Sequence, residues 1–257
     1  MLDWTKISQN PTDPIATQAL LQYLDRISQV IYRPWRDSHP SFKAFRDAWM
    51  FQRFGKSSTV LDIGFADHTL SADQPEWRHG TLRQVVQTCV GIDINSERVE
   101  AIGRTTGLNN LVAADFTQNP QLPYLKFDGI FAGDLIEHLG CIDSLLDFIK
   151  QKLDSSGIAI LTTPNCYGRH GRLTRKRGTV IDNLEHTCWI SPFQMNELCR
   201  RQGLTLAEVI YFREGRKRIL ANQAVPGLRS LEFRTRDLWT DEYTYILTQV
   251  PQLPSAA

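Results

Sequence analysis

Several absences narrow the field before any motif is read. No apolar run approaches the roughly 18–20 residues that a membrane span needs, so no membrane partner is expected. The opening residues Met1-Leu2-Asp3-Trp4-Thr5-Lys6 carry no basic-then-apolar leader, and a cytoplasmic location is the expectation. Five cysteines (Cys89, Cys141, Cys166, Cys188 and Cys199) form an odd set without a C-x-x-C spacing, and they read as reduced thiols. The formal net charge is only +1, which gives no global field for nucleic acid or a membrane surface. There is no internal repeat and no low-complexity tract. What remains is 257 residues, 42% of them apolar, enough for one large α/β domain with additions.

The chain can be hung on one stretch, Ser58-Thr59-Val60-Leu61-Asp62-Ile63-Gly64-Phe65-Ala66-Asp67-His68. Its apolar run ends in an acid and a glycine, as a buried parallel strand does on entering the turn before a helix. About thirty residues on, the length of a βαβ repeat, Cys89-Val90-Gly91-Ile92-Asp93-Ile94 forms a second strand with an acid at its tip. A glycine turn followed by such a carboxylate can hold a nucleoside: the backbone comes close, and the acid takes the ribose hydroxyls. A dinucleotide fingerprint, however, wants G-x-G-x-x-G, and after Gly64 this chain has Ala66 and His68. A pyrophosphate therefore lacks its glycine cradle, which argues against NAD or FAD.

Upstream, to about Lys56, Leu20, Leu24, Ile27 and Ile31 share one helical stripe and Phe42, Phe45 and Trp49 another, with Pro34 as the break between them. Residues 1–56 are expected to form a helical cap or lid, and 57–257 the main domain. In that domain a helix is expected from Thr81 to Thr88, and Asn95 or Ser96 starts another that closes at Gly103 or Gly107. Strands follow at Leu111–Ala114, Phe127–Ala132 and Gly157–Thr163, with a helix from Asp143 to Leu153 for which Ser144 and Asp147 suggest a capping box. Ser191-Pro192-Phe193-Gln194 is a sharper start signal, with serine as N-cap, proline at N1 and glutamine at N3. Strands at Leu204–Phe212 and Tyr243–Thr248 end the pattern, while residues 213–241 read as an irregular insertion. The expected fold class is α/β: a Rossmann-like, mainly parallel seven-stranded sheet flanked by helices, with an N-terminal helical extension.

In order, Val60-Leu61-Asp62-Ile63-Gly64, Gly91-Ile92-Asp93, Ala113-Ala114-Asp115, Phe127-Asp128, Glu137-His138-Leu139 and Thr163-Pro164-Asn165 resemble the class I S-adenosylmethionine-dependent methyltransferases. The resemblance runs from about Ser57 to Phe212. It implies a cofactor site in which Asp62, Gly64, Phe65, Ala66 and His68 surround the methionine end. Asp93 and Ile94 would meet the ribose side, Asp115 and Phe116 would bracket the adenine, and Gly133 with Asp134 would line the methyl-donating end. Pro75-Glu76-Trp77-Arg78-His79-Gly80 is similar to a run found in a subset of bacterial members tied to glycan and natural-product pathways.

Asp134, Glu137 and His138 stand at i, i+3 and i+4, which share one face of a helix. His186 follows the fifth strand of the βα series and is placed to close over them. Two carboxylates and two imidazoles suit a divalent ion such as Mg²⁺, Mn²⁺ or Zn²⁺, so Asp134, Glu137, His138 and His186 are the expected metal set. The pattern is similar to the metal-dependent small-RNA 2′-O-methyltransferases, although there the first acid is usually glutamate. Glu-His after the fourth strand also occurs in members without metal, and there His186 or His138 would be the general base. A basic run at 169–177 and a second cluster, Arg216-Lys217-Arg218, read either as solvated loops or as a grip on an anionic acceptor.

The reading that follows is an S-adenosylmethionine-dependent O-methyltransferase acting on a hydroxyl of a small polar metabolite or glycan. Its rivals are RNA-terminal 2′-O-methylation, which the near-neutral charge disfavours, and a non-catalytic methyltransferase-like binding subunit, suggested by the interrupted glycine turn.

Overall fold

The computed structural model describes residues 14–32, 42–66, 77–165, 167–168, 183–213, 240 and 242–250. His68, Pro34, the basic run at 169–177 and Arg216-Lys217-Arg218 lie outside the described residues, as does most of 213–241.

One sheet of eight strands organises the chain: β1 Ser28–Tyr32, β2 Thr59–Ile63, β3 Thr88–Asp93, β4 Leu111–Ala113, β5 Phe127–Gly133, β6 Leu153–Pro164, β7 Leu204–Arg213 and β8 Glu242–Gln249. The spatial order is β1-β7-β8-β6-β5-β2-β3-β4. Only β8 is antiparallel, lying between β6 and β7, and every other pairing is parallel. The Rossmann-like α/β expectation holds, with eight strands rather than seven. The added strand is β1. It includes Ile31, which the sequence pattern had placed on a helical stripe. The helix α1 (Pro14–Ile27) stops first, and Ser28 to Tyr32 then pair in register with Val209 to Arg213. Four of the five residues, all but Ser28, sit in a Q-V-I-Y run, whose β-branched and aromatic content suits a strand.

Among the described residues five further helices flank the sheet: α2 Phe42–Phe51, α3 Arg78–Val85, α4 Ser96–Thr106, α5 Ile142–Lys152 and α6 Pro192–Gln202. Strand side chains alternate between two cores, as a sheet covered on both faces requires. Leu61, Ile63, Val90, Ile92, Ile130 and Ala132 pack with Leu24 of α1, Leu145 and Ile149 of α5 and Met195 of α6. Val60, Cys89, Phe131 and Ile160 face the other way, onto Phe45, Met50 and Phe51 of α2 and Leu82 of α3. A smaller cluster joins Phe65, Ala66 and Trp77 to Val99 and Ile102 of α4.

The local start and stop signals divide into those that operate and those that tertiary context replaces. Asn95 caps α4 by accepting from Arg98 N at 3.1 Å, and Gly107 closes it in the left-handed region at φ 71°. At α6 the Ser191–Gln194 capping box is complete, with Ser191 N donating to Gln194 Oε1 at 2.8 Å and Gln194 N to Ser191 Oγ at 3.4 Å. The expected Ser144–Asp147 box does not form: α5 begins at Ile142, so Ser144 is already inside the helix, and Cys141 is the uncapped N-cap. Leu153, expected to end that helix, is the first residue of β6. Likewise α3 starts at Arg78 rather than Thr81 and ends at Val85, leaving Thr88 to open β3.

The strand order reverses between β2 and β5, so a crevice opens where their carboxyl ends diverge, the position at which doubly wound sheets bind ligands. The Ser191 cap is the simplest test of the local account. Ser191→Ala is expected to destabilise the fold by about 1 kcal/mol, read as a lower denaturant midpoint with an unchanged slope.

Candidate active site

The turn leaving β2 is held from several sides. Gly64 adopts φ 75° and donates its N–H to Ile92 O at 2.9 Å. Phe65 turns its ring down onto Gly91, where a Cβ would lie 2.7 Å from the ring, so the chain needs glycine at 91 for the turn to sit this close. Ala66 N donates to Asp93 Oδ2 at 3.1 Å, and Asn95 N to Asp93 Oδ1 at 2.9 Å. Asp93 therefore stands at the tip of β3 beside the turn, half-buried, with backbone donors on both oxygens. Ile94, next to it, is 73% exposed. An apolar side chain standing free beside a strand-tip carboxylate suits one face of a nucleoside base.

Four of the expected cofactor residues have side chains engaged with the protein itself. The Phe65 side chain is buried in the small cluster with Trp77 rather than lining the crevice, so its contribution there is through the backbone. Asp62 is 2% exposed, and its Oδ2 meets His79 Nδ1 at 2.9 Å, which puts the carboxylate under the turn. Cys89 Sγ lies 3.6 Å from the same nitrogen. Burial drives the Cys89 thiol well above its usual pKa, with the Asp62 charge adding to the effect. Asp115 accepts from Thr117 N at 2.9 Å and Thr117 Oγ1 at 2.8 Å, capping the 3₁₀ turn Phe116–Gln118, and these bonds lower its pKa. Phe116 packs at 5.6 Å from the Phe148 ring.

Across the crevice, β5 ends at Gly133, and Asp134 follows with φ 51°, an uncommon conformation for a residue with a side chain. Asp134 N donates to Thr162 O at 3.1 Å and Thr162 Oγ1 at 3.0 Å, and that hydroxyl returns a bond to Asp134 Oδ1 at 2.6 Å. The other oxygen accepts from Arg78 Nη2 at 2.7 Å, and Arg46 Nη1 lies 3.7 Å from Oδ1. Arg46 is fully buried, bonded to Asp47 at 2.8 Å and to Glu242. Burial raises the Asp134 pKa, but Arg78 and then Arg46 outweigh it and hold the carboxyl well below its usual range.

The 3₁₀ turn Ile136–His138 then brings the remaining groups together. Ligand atoms of Glu137, His138 and His186 all lie within 4.8 Å of one another. The segment bearing His186 is stitched to this turn: Thr187 N donates to Glu137 O at 2.7 Å, and Thr187 Oγ1 to Leu139 O at 2.8 Å. The His138 and His186 rings stand 4.9 Å apart at 76°, and Trp189 is edge-on to His186 at 5.3 Å. Glu137 is 1% exposed; Oε2 accepts from Thr163 Oγ1 at 3.0 Å, whereas Oε1 is buried without a partner. Burial, with Asp134 nearby, raises its pKa to about 8.

Of the four expected metal ligands, the structure assembles three. Asp134 is not among them because its carboxylate is committed to Arg78 and Thr162. Arg46, Arg78, Thr162 and Glu242 had no functional role in the sequence reading, although Arg78 lies inside the Trp77-Arg78-His79-Gly80 run and Thr162 in the strand that ends at Thr163-Pro164-Asn165.

A doubly wound sheet with a strand-tip carboxylate beside a glycine turn, and polar groups across the switch point, is the arrangement in which such sheets bind nucleoside ligands. The model of the methyltransferase domain family matches residues 38–209, and the chain belongs to that family. Among solved structures it is similar to an S-adenosylmethionine-dependent methyltransferase from Archaeoglobus fulgidus, with a TM-score of 0.55 and 17% identity over 80% of this chain and 94% of that one. It is also similar to a complex of the Haloferax volcanii Trm112 methyltransferase activator with a candidate methyltransferase, with a TM-score of 0.50 and 18% identity over 82% and 96% of the two chains. The N-methyltransferase NodS of Bradyrhizobium japonicum WM9 bound to S-adenosyl-L-homocysteine aligns at a TM-score of 0.49, 18% identical over 90% and 98%. Among curated proteins, none matches the chain. By that family the protein is a methyltransferase.

Removing the Asp134 carboxylate takes from Arg78 its hydrogen-bonded acceptor and from Arg46 a nearby countercharge. Asp134→Ala is expected to lower stability by roughly 3 kcal/mol, measured by urea unfolding. Thr162→Val, which leaves the arginine contacts in place, should cost less.

Proposed function

We propose that the protein transfers the methyl group of S-adenosylmethionine to a hydroxyl of a small polar metabolite or glycan, with a divalent ion at Glu137, His138 and His186. The observation that carries this reading is the convergence of those three side chains at the crevice, with one Glu137 oxygen buried and unpartnered. A carboxylate so placed must take a proton or a cation, and a cation flanked by two imidazoles answers both needs. Such an ion supplies a lowered pKa to an acceptor hydroxyl bound beside it.

The residues of the chain do the rest. Asp93 holds the ribose hydroxyls, Ile94 lies against the base, and the Gly64–Ala66 backbone runs beside the methionine end. His68 and the basic run at 169–177 are kept as contributors to the cofactor carboxylate and to an anionic acceptor. In a site without the ion, His186 or His138 would take the hydroxyl proton as general base. The acceptor oxygen then forms a bond to the methyl carbon as the carbon–sulfur bond breaks, giving the methyl ether and S-adenosylhomocysteine. In-line alignment is the main demand of that step. The segment 1–56 acts as cap or lid over the acceptor side, although its β1 is also part of the sheet. No described helix is long and apolar enough to cross a membrane, which leaves the acceptor to be met in water.

The same three-residue set favours a second acceptor, the vicinal hydroxyls of a terminal ribose, and so an RNA-terminal 2′-O-methyltransferase. A labelled-methyl assay with sugar hydroxyls in one arm and short RNA in the other separates the two. Chelation, or Glu137→Gln, is expected to cut turnover by about 100-fold or more, with recovery on adding Mg²⁺ or Mn²⁺ to the chelated native enzyme. Turnover indifferent to chelator and to Glu137→Gln would remove the ion. Calorimetry with S-adenosylhomocysteine tests the deeper claim, since a non-catalytic scaffold with a dead crevice shows no binding heat. Asp93→Ala should weaken that binding by roughly 150-fold, the loss of two charge-assisted hydrogen bonds at about 1.5 kcal/mol each.

A further inference from the structure

Three consecutive side chains where α3 begins reach three different parts of the crevice. Trp77 Nε1 donates to Phe65 O at 3.2 Å, within the turn that leaves β2. His79, fully buried, meets Asp62 on β2 at 2.9 Å, and its ring stands 4.9 Å from Phe65 and 5.2 Å from Trp77. Arg78 Nη2, between them in sequence, donates to Asp134 Oδ2 at 2.7 Å on the opposite wall. Two glycines make room for this arrangement. A Cβ on Gly80 would lie 2.8 Å from the Trp77 ring, and one on Gly133 would run into Arg78 Nη1.

We propose that Trp77-Arg78-His79 is a positioning clamp for the cofactor, one that replaces the missing glycines of the turn and fixes both walls of the crevice together. A glycine-rich turn brings its backbone close to a ligand because its residues carry no side chains. Here position 66 is alanine, and the turn is held from outside instead. Phe65 O is fixed by Trp77, the strand beneath by His79, and Ala66 N by Asp93. Arg78 extends the same helix start to Asp134, whose left-handed conformation sets the chain direction into Glu137 and His138. The tripeptide touches neither the reacting atoms nor the three-residue donor set, so its effect is on how much ordering remains to be done when the cofactor binds.

The proposal rests on the family assignment for the identity of the cofactor. Its test is calorimetric titration with S-adenosylhomocysteine, with the melting temperature recorded for every variant. Trp77→Phe keeps an aromatic ring and removes one buried N–H donor; it should weaken binding about tenfold, the worth of one net hydrogen bond, while the melting temperature falls by a few degrees. Arg78→Met removes the contact with Asp134, and Gly133→Ala pushes a Cβ into Arg78 Nη1 and also onto the Phe131 ring. Each should weaken binding about tenfold, the double variant should be no weaker than the worse single one, and Arg78→Lys should recover most of the loss. Affinities within about twofold of native for Trp77→Phe and Arg78→Met, with only the melting temperature falling, would show a purely structural element and overturn the clamp. Multiplying losses for Arg78→Met and Gly133→Ala would overturn the shared seat. No binding by the native protein would strike the cofactor assignment itself and the clamp with it.

Discussion

Two guanidinium groups enclosed by protein must find acceptors, and that requirement shapes the region around the crevice. Arg46 comes from α2, Arg78 from α3, and their partners Asp47, Asp134 and Glu242 come from α2, the end of β5 and the start of β8. Desolvation makes such a cluster a poor source of net stability. Its effect is to exclude alternatives, because a shift of any of these elements would leave a buried charge unanswered. The turn that carries Glu137 and His138 inherits its starting direction from that constraint. So does the N-terminal segment, since Arg46 ties α2 to a strand almost two hundred residues further along.

Much of this fold could be read from period and punctuation. The β2 and β3 strands, the Asn95 and Ser191 caps and the glycine closure at 107 are local signals that the tertiary structure leaves intact. The errors have physical causes. Ile31 continued a helical stripe, but five residues of β7 offered open backbone groups and β1 took them. Ser144 and Asp147 have capping chemistry, yet the helix starts at Ile142 because Ile142 and Leu145 are both drawn toward the core.

The candidate site was legible in part for the same reason. Glu137, His138 and Asp93 sit at strand ends, where spacing predicts location, and His186 reaches them through the Thr187 contacts. Asp134 looked like a fourth ligand by spacing alone. What decides its role is a pair of arginines distant in sequence, and no pattern around Arg46 announces a buried charge. The same holds for Asp62, whose place at the end of a strand matched a cofactor contact while its actual partner, His79, lies within a helix start.

The extra strand has a consequence for the outer rim of the molecule. By pairing with Val209 to Arg213, β1 shelters the distal half of β7, which would otherwise be a flank of unclaimed amide and carbonyl groups. Such a flank invites a foreign strand to add to it. A shortened chain beginning at α2 would keep the arginine cluster, but it would lose Leu24 of α1 from the main core and acquire a sticky border as well.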